Sequence, residues 1–201
     1  MKTCVLVLGC HRSGTSMLAG MLNKLDVYMG NNLKEPDKNN NKGFYEQVDI
    51  LHLNERILNS VGCNWRSGKI PSNAVDGYEQ DISNVIDYNF SNSSLFAIKD
   101  PKISRLLPLW KSVLNDKGIK IIYFVIERNS NNVCKSMERF RGIPKDKSLK
   151  IQKFYKRDIT KYTENPYYFK YEEILRWLKR EIGRVCDILN LPLKDVSGFL
   201  K

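Results

Sequence analysis

The chain has 201 residues, of which 42% are hydrophobic and 27% are charged, as is ordinary for a globular domain with a full hydrophobic core. Its net charge of +11 is unusual and predicts an anionic partner: a nucleotide, a sulfated or acidic acceptor, nucleic acid or a membrane surface. A lysine-rich surface that serves only solubility is the alternative.

The five cysteines are scattered and include no CxxC pair or Cys/His cluster, which excludes an ordinary zinc site and predicts no metal. An odd, dispersed set fits a reducing compartment rather than a disulfide framework. The apolar run at residues 4–8 is too short for a signal peptide or a membrane span. We therefore expect one cytoplasmic domain over residues 1–201.

The first unit of the chain reads as strand, glycine loop and helix. "CVLVLG" is continuously apolar, as in a strand buried on both faces of a parallel sheet. From Thr15, "TSMLAGMLNKL" places its apolar residues on one helical stripe. Residues 31–43 are polar and Asn-rich, which predicts a mobile loop.

The rest of the chain alternates between the two kinds of element. Helices are predicted in "QVDILHLNERILNSV", "GYEQDISNVIDYNF", "SRLLPLWKSVL", "NSNNVCKSMERF" with Ser130 or Asn131 as cap, residues 148–162, and one long helix in "EEILRWLKREIGRVCDILNL". Strands are predicted in "SLFAIKDPK", "IKIIYFVIER" and "PYYFKY". This order predicts a three-layer α/β/α fold with a central, mainly parallel sheet, like that of P-loop nucleotide-binding proteins.

The loop "GCHRSGTS" at residues 9–16 has the glycine spacing of a nucleotide-binding P-loop, but Thr15 stands where the P-loop lysine would follow Gly14. The amides of Ser13, Gly14, Thr15 and Ser16, at the positive end of a helix, are suited to a phosphate. The missing lysine removes the cation that reaches the β- and γ-phosphates of ATP. A tight turn without ligand is the alternative.

A second anion pocket is predicted at the end of the strongest strand. Arg128 ends that strand and Ser136 follows eight residues later, a separation at which both side chains can reach one phosphate. Open α/β sheets bind ligands at the carboxyl ends of their strands. Alternatively, Arg128 is a cation at the sheet edge and Ser136 a surface residue of a helix.

Together, "RSGTS" at 12–16 and "RNSNNVCKS" at 128–136 resemble the sulfotransferases that use 3′-phosphoadenosine 5′-phosphosulfate (PAPS). Segments such as "GFYEQVDILHLNERIL" and "IKDPKISRLLPLW" look like bacterial-type members, although Ser130 stands where relatives often carry Pro. The resemblance implies that Arg12, Ser13, Gly14, Thr15 and Ser16 bind the 5′-phosphosulfate. It also implies that Arg128 and Ser136 bind the 3′-phosphate, and that 3′,5′-ADP is the product.

The same resemblance makes Arg12 the catalytic basic residue at the loop, and arginine confines it to an electrostatic role. It also suggests Glu46 as the general base; the alternative is a glutamate at a helix N-terminus. Asp100 is the second candidate, or else a helix cap or a partner of Lys99 or Lys102. Lys99 could face the transferring sulfuryl group.

The resemblance leaves the acceptor open among a carbohydrate, a small alcohol and an amine, and the loop at 31–43 is expected to flank it. A P-loop kinase or nucleotide phosphotransferase is the first competing function, against which the missing lysine counts. The second is a non-catalytic polyanion-binding protein, which the net charge favours. Nucleic acid is not expected, because aromatic and basic residues form no recognisable binding motif.

Overall fold

A computed structural model describes residues 1–38, 40–71 and 77–194 of the chain. Within these residues, four parallel strands form the central sheet: β1 (Thr3–Leu8), β2 (Leu95–Ile98), β3 (Lys120–Glu127) and β4 (Tyr167–Lys170). Their order in the sheet is β2-β1-β3-β4. The predicted parallel sheet is confirmed.

The apolar run of β1 is explained by its central position. β1 pairs with β2 on one side and with β3 on the other, so that Val5 lies between Ala97 and Ile122. Residues 4–8 are fully buried because helices cover both faces of the strand. A strand buried on both faces carries no polar alternation.

Eight helices and one short 3-10 helix surround the sheet in the described part of the chain. They are α1 (Thr15–Lys24), α2 (Val48–Ser60), α3 (Glu79–Phe90), the 3-10 helix Pro101–Arg105, α4 (Leu107–Asp116), α5 (Ser130–Arg141), α6 (Lys145–Tyr162), α7 (Tyr171–Arg176) and α8 (Leu178–Leu189). Among the residues described, none of these helices combines the length and apolar character that a bilayer span requires.

The helices form a layer on each face of the sheet. Cys4, Leu6 and Leu8 face a core that includes α2, α3 and α4. Val5 and Val7 face the opposite core, which α1 and α8 complete. The predicted three-layer α/β/α architecture is therefore confirmed.

Two local predictions were wrong. The cap of α5 is Asn129, whose side chain accepts hydrogen bonds from the amides of Asn131 and Asn132, because Asn129 is the residue with extended ψ directly before the helix. The predicted closing helix is divided into α7 and α8 at Trp177, which has φ −131° and ψ 44°. The amphipathic period continues across this break, so the sequence pattern does not reveal it.

The topology creates a crevice between β1 and β3. The chain leaves β1 into α1 on one face of the sheet, and leaves β3 into α5, which packs against α6 near the opposite face. Connections that diverge from neighbouring parallel strands leave a crevice at their carboxyl ends, where α/β proteins bind ligands. The glycine loop and Arg128 both lie there.

Candidate active site

The glycine loop between β1 and α1 depends on a residue without a side chain at Gly14. Gly14 has φ 103° and caps α1, and a Cβ added there would overlap the ring of Tyr171 and lie 3.2 Å from Cδ1 of Ile126. Arg12 also has positive φ, 69°, which is uncommon for a residue with a side chain. Strained backbone of this kind is frequent at ligand sites.

The N-terminus of α1 offers free hydrogen-bond donors. No side chain caps the helix, and no acidic residue stands in its first turn. Within the described residues, the amides of Gly14, Thr15 and Ser16 donate no hydrogen bond. The amide of Ser13, predicted as a fourth donor, instead bonds the carbonyl of Cys10 at 3.1 Å. Three amides at the positive end of the helix dipole are therefore available to an anion.

The structure brings Arg12, Arg128 and Ser136 together. Nη1 of Arg128 donates to the carbonyl of Arg12 at 3.2 Å, and Nε of Arg12 donates to Oγ of Ser136 at 2.9 Å. Nε of Arg128 and Oγ of Ser13 are buried and have no partner in the described structure. Since buried polar groups are normally satisfied, these atoms indicate that a ligand can complete the site.

A cleft of about 250 Å³ lies between the glycine loop and Arg128. Gly14, Thr15 and Ser16 line it from one side, and Arg12 and Arg128 also face it. Residues 40–43 of the Asn-rich loop form part of the wall, so the loop borders the cleft that holds both arginines. Its predicted place beside an acceptor stays a prediction.

The positive charge around this cleft is concentrated. Burial lowers the pKa of Arg12, and the neighbouring guanidinium groups of Arg141 and Arg128 lower it further. The guanidinium of Arg12 also lies over the ring of Phe140, 4.5 Å from its centre. Like charges held at such proximity favour an anion between them.

Lys99 joins the loop before α2 to the N-terminus of α1. Its Nζ donates to Oε1 of Glu46 at 2.6 Å, to the carbonyl of Phe44 at 2.9 Å and to Oγ of Ser16 at 3.0 Å. Glu46 and Lys99 are both buried. A lysine has three N–H donors, and all three are used, so Lys99 would have to give up a partner to contact a sulfuryl group.

Both carboxylate oxygens of Asp100 accept hydrogen bonds within the fold. It caps the 3-10 helix through the amide of Lys102, and its other oxygen accepts from Nδ2 of Asn54 at 2.9 Å. Burial raises the pKa of Asp100, although the Lys102 ammonium acts in the opposite direction. The carboxyl is 1% exposed, which matches the cap that sequence reasoning left open. A role as base stays a prediction.

The two histidines lie in different surroundings. His11 is packed inside the loop, with its ring centre 4.3 Å from that of Trp65. Burial, together with the positive charges of Lys102 and Lys99, holds the pKa of His11 well below its ordinary value. His52 is exposed on α2.

Sequence reasoning missed Tyr171 and Phe140. The ring centre of Tyr171 is 4.3 Å from the guanidinium carbon of Arg128, and the same ring closes the loop beside Gly14. Tyr171 directly follows β4, the neighbour of β3, so the rule that parallel strands end at one edge could have found it. No sequence signal marks Phe140, because its contact with Arg12 depends on the direction of α5.

The chain was compared with protein families, curated proteins and solved structures. No family model matches the chain. The chain is similar to the sulfotransferase domain from the Synechococcus PCC 7002 olefin synthase, with a TM-score of 0.59 and 17% identity; the match covers 96% of this chain and 74% of that one. The likeness shows a shared fold.

Among curated proteins, the chain is 23% identical over 150 residues to the probable inactive serine/threonine-protein kinase fnkD of Dictyostelium discoideum. The match covers 65% of this chain and 21% of that protein. The chain thus spans about a fifth of the length of this relative.

Proposed function

We propose that this protein is a PAPS-dependent sulfotransferase, which moves a sulfuryl group to a hydroxyl or amine of an acceptor. The observation that carries the proposal is that the unpaired amides of Gly14, Thr15 and Ser16 and the guanidinium groups of Arg12 and Arg128 line one cleft. Ser136 adjoins this cleft through its hydrogen bond with Arg12. Two sets of anion-binding groups on one cleft suit a nucleotide with phosphates at both the 5′ and the 3′ position.

The roles follow from the chemistry of each group. The three amides and Arg12 would bind the 5′-phosphosulfate, and Arg128 and Ser136 the 3′-phosphate. The nucleotide charge, roughly −4, is then met by side chains and amides. Arg12 would stabilise the negative charge that develops on the departing 5′-phosphate. Its present bond to Ser136 means that nucleotide binding has to share or displace that contact.

Glu46 is the base that the geometry favours. One of its oxygens is held by Lys99, while the other makes no hydrogen bond in the described structure and can accept a proton. The acceptor oxygen attacks sulfur, the bond from sulfur to the 5′-phosphate oxygen breaks, and the acceptor proton passes to Glu46. The leaving group is 3′,5′-ADP. Lys99 would act as a positioning residue, because its ammonium donates hydrogen bonds to both Glu46 and Ser16.

A P-loop kinase is the competing enzyme. It requires a cation at the γ-phosphate, but Thr15 follows Gly14 and the buried Lys99 is fully engaged. The strongest strand ends in Glu127 followed directly by Arg128, which does not suit a Mg²⁺ carboxylate. The geometry therefore favours sulfuryl transfer.

A thermal-shift panel tests the proposal against both alternatives. We expect 3′,5′-ADP at 100 times its Kd to stabilise the protein by about 2.7 kcal/mol, and ATP–Mg²⁺ and a short oligonucleotide to have little effect. Stabilisation by ATP–Mg²⁺ that exceeds that by 3′,5′-ADP would favour the kinase. Stabilisation by the oligonucleotide alone would favour a polyanion-binding protein.

A further inference from the structure

The net charge of the chain is concentrated in one helical hairpin. Residues 128–161, which include α5 and α6, contain eleven Lys and Arg against three Asp and Glu. The remaining 167 residues contain 22 basic and 19 acidic side chains. A lysine-rich surface kept for solubility would be spread over the molecule, whereas this charge lies in about a sixth of the chain.

The hairpin directly adjoins the candidate active site. Arg139 and Arg141, at the end of α5, are exposed and form no ion pair with a described carboxylate. The guanidinium carbon of Arg139 is 5.1 Å from the ring centre of Phe140, which also contacts Arg12. The basic surface therefore begins at the cleft rather than at a distant face.

The surface continues along α6. The buried side of α6 packs towards the glycine loop at residues 9–16, where the ring centres of Tyr155 and His11 are 6.1 Å apart. Lys150 and Lys161 lie on the opposite, exposed side and have no ion pair with a described residue. Their spacing of eleven residues, about three helical turns, keeps them on one stripe, about 16 Å long at 1.5 Å per residue.

The type of side chain on this surface limits the partner. In α5 and α6 the aromatic rings are buried or half-buried, and arginine lies over two of the half-buried ones, Phe140 and Phe154. Proteins that bind single-stranded nucleic acid instead stack bases on exposed aromatic rings. Neither helix exposes a large aliphatic side chain that could enter a bilayer. The surface offers lysine and arginine charges to a ligand that carries anionic groups along its length.

On this basis we propose that the acceptor is a linear polysaccharide bearing carboxylate or sulfate groups, which lies along α6 and reaches the cleft past Arg139 and Arg141. This inference rests on the proposed function, because the nucleotide occupies Arg12 and Arg128 and leaves the other hairpin cations for the acceptor. The anionic groups hold the chain in place, and one of its free hydroxyls is presented to Glu46.

Binding of labelled polysaccharides tests the inference. We expect hyaluronan, which carries only carboxylates, or dextran sulfate, which carries only sulfates, to bind at least tenfold more tightly than neutral dextran. Affinity should fall as salt rises. The two anionic probes distinguish which group is recognised. A short DNA duplex and anionic vesicles should bind more weakly than the preferred polysaccharide.

Two double variants of equal net charge separate the surface from the total charge. Lys150→Glu/Lys161→Glu should weaken binding of the preferred polysaccharide at least tenfold. The control variant Lys24→Glu/Lys179→Glu, at exposed positions of α1 and α8, should change the affinity for this polysaccharide less than twofold. Both variants should keep the wild-type affinity for 3′,5′-ADP. With labelled PAPS, sulfate incorporation into the preferred polysaccharide should fall in the first variant only.

Several results would overturn the inference: equal binding of neutral dextran, equal losses in both double variants, or tighter binding of DNA or vesicles. If 3′,5′-ADP binds and the anionic polysaccharides do not, this inference fails and the proposed function stands. If 3′,5′-ADP does not bind, the proposed function itself fails.

Discussion

At the scale of single residues, the buried ion pair between Lys99 and Glu46 links the stability of the protein to its candidate site. Both side chains are buried, and Nζ and Oε1 are 2.6 Å apart. Removing one partner of a buried pair leaves the other charge without compensation, whereas removing both costs less. The pair is therefore expected to couple strongly.

We predict that Lys99→Met lowers the free energy of unfolding by about 3 kcal/mol. The double variant Lys99→Met/Glu46→Gln should recover part of this loss, because the isolated carboxylate is gone. Urea unfolding of the two single variants and the double variant measures the coupling. A loss below about 1 kcal/mol in Lys99→Met would contradict the buried pair.

Glu46→Gln tests the base. The amide keeps the shape of the side chain but cannot accept the acceptor proton, so turnover should fall by about 10²- to 10⁴-fold. Calorimetry should find the affinity for 3′,5′-ADP unchanged. Glu55→Gln, an exposed carboxylate that contacts Lys102, is the control and should keep activity. Full turnover in Glu46→Gln would move the assignment to Asp100.

His11 gives the stability a defined pH dependence. Its pKa is lowered by burial, so the unfolded chain takes up a proton below pH 6.5 while the folded protein does not. Stability should therefore be lost as pH falls from 6.5 towards the folded pKa, by up to about 1.4 kcal/mol per pH unit.

Urea midpoints at pH 7.5, 6.5 and 5.5 measure this slope. His11→Gln should flatten it, because glutamine does not titrate. His52→Gln removes the exposed histidine and should leave the slope unchanged. An identical slope in His11→Gln and wild type would refute the role of burial.

At the scale of elements, the sequence predicted those that depend on hydrophobic pattern alone. The continuous apolar runs of β1 and β3 and the stripe of α1 are local signals, and each element formed as expected. Details that depend on one backbone angle escaped prediction. Any of the residues Asn129, Ser130 and Asn131 could cap α5, and only the folded backbone selects Asn129.

The strand–loop–helix unit yields a prediction for Gly14→Ala. The new Cβ would be strained at φ 103° and would overlap the Tyr171 ring, so both stability and affinity for 3′,5′-ADP should fall. Gly118 has φ 65°, and no atom lies within 4 Å of a Cβ added there. Gly118→Ala should therefore be destabilised only by backbone strain, about 1–2 kcal/mol, with no steric overlap. Urea unfolding and calorimetry compare the two variants.

Gly118→Ala should bind 3′,5′-ADP like wild type. Equal loss of nucleotide affinity in both variants would show that general destabilisation is responsible. A normal affinity in Gly14→Ala would mean that the loop does not need glycine at this position.

At the scale of the whole molecule, the sequence predicted which strand ends meet at the candidate site but not how the side chains there are paired. Arg12 and Arg128 follow β1 and β3, and parallel strands that are neighbours end at one edge. The pairing of Lys99 with Glu46 joins residues 53 positions apart in the chain. Such a contact depends on how the segment before α2 lies against the end of β2, which no local pattern contains.

The charge distribution belongs to the same scale. Composition predicted an anionic partner, and the fold places the basic segment of α5 and α6 beside the cleft. The hairpin charge is local in sequence, but its position next to Arg12 follows from the packing of Phe140. Sequence alone could therefore identify the basic segment and not its relation to the site.

The central claim is that two adjoining pockets hold the two phosphate ends of one nucleotide. Ser136 tests it with less disturbance of the loop backbone than Arg128, because Arg128 supports the carbonyl of Arg12, whereas Ser136 contacts the Arg12 side chain. The hydroxyl of Ser136 contacts Arg12 and, in the proposal, the 3′-phosphate.

Calorimetric titration of 3′,5′-ADP and 5′-AMP into wild type and Ser136→Ala is the most direct measurement. The account predicts that wild type binds 3′,5′-ADP far more tightly than 5′-AMP. Ser136→Ala should weaken binding of 3′,5′-ADP by about tenfold or more, because it removes a hydrogen bond to a charged group. The affinity for 5′-AMP should stay nearly unchanged. Equal affinity of wild type for the two nucleotides, or equal losses for both in Ser136→Ala, would contradict it.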